Sequence, residues 1–117
     1  MVLGIIGWVI VGALLAGAIA MFWDDIKNWL NNTAADAVER VLGYDARRNM
    51  HRAVARIDRV VDTIRNRTVV YTKRNHLDTY YDKVTLSAEA APYEIDNDVL
   101  KKLRQEGELI QKFEYRG

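Results

Sequence analysis

The chain has no cysteine, a single proline and only two histidines, and each shortage closes a class of function. Without cysteine there are no disulfides, no thiolate zinc sites and no cysteine nucleophile, while the redox character of the compartment stays open. His51 and His76 are too few for a histidine metal centre, and Asp78, Asp82 or Glu94 would have to complete one without any recognisable ligand spacing. No glycine-rich phosphate loop and no nucleophile elbow is present. The carboxylates Asp82, Glu94, Asp96 and Asp98 resemble a nuclease cluster only loosely, and Asp96 and Asp98 are better explained as the capped start of a helix. No metal, no cofactor and no enzymatic activity are therefore expected.

The longest absence is at the start, because Met1 to Trp23 contains no charged side chain and no Asn, Gln, Ser, Thr, His or Pro. A helix rises about 1.5 Å per residue, so such a segment reaches roughly 34 Å and could cross a hydrocarbon core about 30 Å thick. The expectation is a single transmembrane helix over residues 1–23. A cleaved signal peptide is the competing reading, on the small-x-small Ala18-Ile19-Ala20, but no basic residue precedes the apolar run. Lys27 and Arg40 on the far flank favour the N-terminus outside and the remainder cytoplasmic. Gly12, Ala13, Ala16, Gly17 and Ala20 form a small-residue face of the kind that lets helices approach closely, which points to self-association. Trp8, Phe22, Trp23 and Trp29 read as aromatic anchors at the membrane interface.

What is abundant is charge, and it is unevenly spread. Seventeen Lys and Arg nearly balance sixteen Asp and Glu, yet residues 40–74 carry ten bases and three acids, a basic block between two acidic thirds. Residues 24–43 keep apolar positions at helical spacing and read as an amphipathic juxtamembrane helix, with Thr33 as a fresh cap and Gly43 as a stop. Residues 44–66 read as a basic helix begun by Asp45, with Met50, Ala53, Val54, Ile57, Val60, Val61 and Ile64 on one stripe. Arg47, Arg48, Arg52, Arg56 and Arg59 fill its other faces, as a site for anionic lipid or an acidic partner. No aromatic residue interleaves these arginines on a helix, so nucleic acid is not an expected partner.

Residues 67–117 read as a small ββαβ domain packed with the basic helix: a β-branched hairpin, a helix begun at Asp96 and stopped at Gly107, and a last alternating strand from Leu109 to Tyr115. The expected fold class is thus α+β behind a transmembrane helix. The expected function is a membrane-anchored assembly or recruitment protein that self-associates through its span and presents the small domain to another protein. A pore-forming small toxin and a membrane-tethered nucleic-acid binder are the alternatives.

Overall fold

The structure, a computed structural model, describes residues 8–11, 17–73 and 80–115, with side chains described for 17–73 and 80–114. In chain order the elements are β1 (Trp8–Val11), α1 (Gly17–Trp29), a π-helical segment (Leu30–Ala34), α2 (Ala35–Leu42), α3 (Tyr44–Arg48), β2 (Arg52–Val60) and β3 (Thr63–Thr72). They are followed by β4 (Asp82–Ala90), a 3₁₀ turn (Pro92–Glu94), α4 (Asn97–Glu106) and β5 (Glu108–Tyr115). The strands form one sheet in the order β1-β5-β2-β3-β4, each neighbouring pair antiparallel. The domain is therefore α+β, a sheet with its helices gathered on one face.

That layering follows from alternation along the strands. On β2, buried Ala53, Ala55 and Ile57 alternate with Arg52, Val54, Arg56 and Asp58, and on β3 Ile64, Asn66, Thr68, Val70 and Thr72 are the buried set. The small alanines leave room for the helices above. Trp23, Leu30, Ala34, Ala35 and Val38 of the long helical run join this layer, together with Ala46, Met50, Val99, Leu103, Leu109 and Phe113, in one core. Trp23 is 2% exposed and meets Phe113 with ring centroids 6.1 Å apart. Burying a side chain of this size contributes about 1.5–3 kcal/mol, so the helical run is held chiefly by its apolar face.

The helical run stays continuous through the π segment, because Ala34 at its junction keeps right-handed helical backbone angles and no side chain caps the start of α2. It ends at Gly43, where φ is +100° and the amide donates to the Glu39 carbonyl at 2.8 Å. The short α3 is then tied to the end of β3 by a hydrogen bond from the Thr72 hydroxyl to the Ala46 carbonyl. At the far end Asp96 caps α4, accepting from the Asp98 amide at 2.8 Å, and Gly107 closes it at φ +81°.

Three expectations are corrected here. The transmembrane helix over residues 1–23 is not found: Trp8–Val11 is a strand on β5, α1 begins only at Gly17, and among the described residues no helix is long and apolar enough to cross a membrane. The single-pass membrane placement and its orientation fall with it. The physical reason is that an apolar run suits a buried strand or a core-facing helix as well as a span, and here Trp23, Leu30 and their neighbours bury against the sheet. Met1–Gly7 and Gly12–Ala16, the rest of the expected span, lie outside the described residues. The basic helix over 44–66 is likewise replaced, by a five-residue helix and a hairpin formed from β2 and the start of β3. The expected fresh cap at Thr33 is also absent, since Thr33 lies in the π segment inside one continuous helical run.

Candidate functional site

With the helices on one face, no described residue covers the other face of the sheet, and its chemistry is set by every second residue of the strands. β2 contributes Arg52, Val54, Arg56 and Asp58, β3 contributes Arg65, Arg67, Val69 and Tyr71, and β4 contributes Lys83, Thr85 and Glu89. The antiparallel register sets Arg52 beside Tyr71 and Tyr71 beside Lys83, and at the other end Asp58 beside Arg65 and Arg65 beside Glu89. The two ends of this face differ in how their charges are satisfied.

At the hairpin end the cations are paired. Arg65 donates two parallel hydrogen bonds to Asp58, Nε to Oδ1 at 3.1 Å and Nη2 to Oδ2 at 2.8 Å, and Arg67 approaches the same carboxylate at 3.6 Å. Arg56 meets Glu108 of β5 at 3.5 Å. The Arg65 hydrogen bonds hold the Asp58 carboxyl below its ordinary value, partial burial opposes them, and the charges of Arg65, Arg67 and Arg56 add to the lowering. This end is an internally compensated ion-pair network.

At the opposite end the cations lie on aromatic rings. The Arg52 guanidinium sits 4.5 Å from the centre of the Tyr71 ring, Lys83 Nζ lies 5.6 Å from the same ring, and Lys73 Nζ lies 4.6 Å from that of Tyr81. Tyr81 in turn stacks on His51, with centroids 5.2 Å apart. Among the described residues, Arg52, Lys73, Lys83 and Lys112 have no carboxylate within 4.0 Å. A ring beneath a cation positions it without neutralising it, and the register sets one acid, Glu114 of β5, opposite Arg52. Arg52 Nε is moreover buried with no hydrogen-bond partner among the described residues. Between the two ends lies a shallow depression of about 280 Å³, floored by Val54, Val69 and Thr85 and walled by Arg56, Arg67 and Tyr71.

The arginines expected to act together are dispersed. Arg52 and Arg56 share the open face, but Arg47 is on α3, hydrogen-bonded to Asp36 and 3.9 Å from Glu39. Arg48 is exposed on the same short helix, and Arg59 at the end of β2 donates back to the Val61 carbonyl at 3.1 Å. Tyr71, Lys73, Tyr81 and Lys83 were not in the expected set, and the strict alternation from Arg52 to Asp58 is the signal that leads to them. Of the expected aromatic anchors, Trp23 is in the core and Phe22 and Trp29 pack against it, while the Trp8 side chain lies outside the described residues. Gly12, Ala13 and Ala16 lie outside them too, and Gly17 and Ala20 form the first turn of α1.

Among the described residues no group of three metal-ligating side chains comes together. Asp96 is occupied as a cap, Glu94 accepts from the Ala91 amide at 2.9 Å, and His76 lies outside the described residues. The fold and face define an α+β domain with an uncovered, partly basic sheet surface. Compared with protein-family models, curated proteins and solved structures, the chain has no match.

Proposed function

We propose that the protein is a recruitment domain, without catalytic chemistry of its own, that holds an acidic protein partner on the basic end of its open sheet face. The observation that carries this reading is the contrast within one face: the arginines at the hairpin end are paired with Asp58 and Glu108, whereas Arg52, Lys73 and Lys83 rest on tyrosine rings with no carboxylate within 4.0 Å among the described residues. Unpaired cations held in place favour association with carboxylates, since complementary charge accelerates encounter and selects partners. The apolar floor of Val54 and Val69 adds area that a partner side chain would bury. Tyr71 is flanked by cations from both neighbouring strands, which favours a carboxylate over a stacked base.

A second copy of the chain is the second reading, favoured by a complementary surface. Asp25, Glu94 and Asp96 line a cleft of about 360 Å³ beside α1, next to Met21 and Tyr93, which are 70% and 89% exposed. A basic face meeting this acidic cleft would be a head-to-tail contact, which closes into a ring or runs on as a filament.

Both readings are tested by charge reversal. Arg52→Glu with Lys83→Glu is expected to weaken binding of an Asp/Glu-rich peptide by about tenfold or more at low salt, with Arg48→Glu as a control that changes it by less than about twofold. Unchanged peptide binding in the double variant overturns the recruitment reading. Preference for single-stranded DNA or anionic vesicles over the peptide would assign the face to phosphate instead. Light scattering against concentration and salt separates the readings, because only the second predicts an oligomer that the double variant loses.

A further inference from the structure

The covered side of the sheet holds a cavity of about 190 Å³ between α1 and the strands, with Phe22, Ile26 and Trp29 on the helix side and Ile57 and Ile64 below. Its lining is apolar except at three places. One is Asn66 of β3, only 7% exposed. Its Oδ1 accepts a hydrogen bond from the buried Thr68 hydroxyl at 2.7 Å, and among the described residues its amide Nδ2 has no acceptor. The other two are Asp25 of α1, an exposed carboxylate at the rim, and Glu89 of β4, which lines the cavity although its side chain belongs to the open face. That donor remains accessible from the cavity, so a ligand carbonyl can replace the water that otherwise accepts from it.

We propose that this cavity is a binding site for a small, neutral, largely apolar molecule whose carbonyl oxygen accepts the free hydrogen bond of Asn66 Nδ2. The size suits a substituted benzene, since an apolar cavity of about 150 Å³ already admits benzene itself. Phe22 and Trp29 offer aromatic contacts to such a ring. Asp25 at the rim selects against an anionic ligand, because a carboxylate entering past it meets like charge while losing water. The site is independent of the open face, from which it is separated by the sheet.

The test is a titration of the full-length, ¹⁵N-labelled chain followed by NMR, with acetophenone as probe. Saturable movement of the Asn66 side-chain amide pair is expected. Ethylbenzene, with nearly the same body and no acceptor, should bind about three- to tenfold more weakly, and benzoate should bind no better than ethylbenzene. Ala88→Phe, which fills the cavity from β4, should abolish the acetophenone shifts while the remaining sheet amides keep their positions. The wild-type comparison of acetophenone with ethylbenzene decides the matter even if that variant does not fold. No shift up to the solubility limit, equal affinity for the two probes, or tighter binding of benzoate would each overturn the proposal.

Discussion

Val61 has a β-branched side chain at φ +56°, in a region where L-residues are crowded by their own Cβ. It is 83% exposed, so no burial offsets this conformation. Val60 pairs with Thr63, which leaves Val61 and Asp62 as a two-residue turn, a place where Asn or Gly is the usual solution. Val61→Asn is expected to raise stability by about 1 kcal/mol, read as a higher urea midpoint with an unchanged slope. Close by, Asp58 titrates below its ordinary value because Arg65 holds its ionised form. Such a group contributes stability above its unfolded pKa, and that contribution fades as pH falls through the lowered folded value. Asp58→Asn should therefore be less stable than the parent at neutral pH. In denaturation curves across pH the gap should narrow below about pH 4, near the unfolded carboxyl value, and close at still lower pH.

Among the elements, the π-helical segment Leu30–Ala34 lets one helical run present Leu30, Ala34, Ala35 and Val38 to the same core. Asn32 in the middle is exposed and donates to the Asn28 carbonyl at 2.8 Å. Deleting Asn32 should convert the widened turn to ordinary α-helix and leave the sheet intact. Inserting one alanine after it should turn α2 by about 100°, lift Val38 out of the core and cost cooperative unfolding, both read by circular dichroism and thermal melts. Legibility in the sequence also varied by element. α4 and β5 could be read because Asp96 and Gly107 punctuate them and the pattern between is unambiguous. Residues 44–66 could not, since Met50, Ala53, Ile57 and Ile64 fit a helical stripe while Ala53, Ala55 and Ile57 fit a strand. Alanine and arginine favour helix locally, and the Val61–Asp62 turn lacks any turn residue but the aspartate. The candidate face shared this obscurity, because Tyr71 and Lys83 join Arg52 only after the hairpin and β4 are paired. The apolar start is ambiguous for a different reason: hydropathy records that a segment avoids water and does not say whether protein or lipid covers it.

At the scale of the molecule, collecting the described helices on one side gives the two faces of the sheet separate tasks. The covered side supplies the core and the cavity at Asn66, and the uncovered side carries charge without contributing much burial. Binding through the uncovered side should consequently be steep in salt and nearly insensitive to core stability. Raising ionic strength from about 0.01 to 0.15 M shortens the screening length from about 30 to 8 Å, and peptide association should slow accordingly while the thermal midpoint of the free protein barely moves. The pairing of β1 with β5 has one more consequence. It sets Trp8 opposite Tyr115, so the earliest and latest described strands are hydrogen-bonded neighbours, and backbones so paired lie only about 5 Å apart. The described chain from Trp8 to Tyr115 thus nearly closes on itself. A circular permutant that joins these ends through a short linker and opens between Val61 and Asp62 would interrupt no strand, and its amide spectrum should superimpose on the parent's away from the two seams.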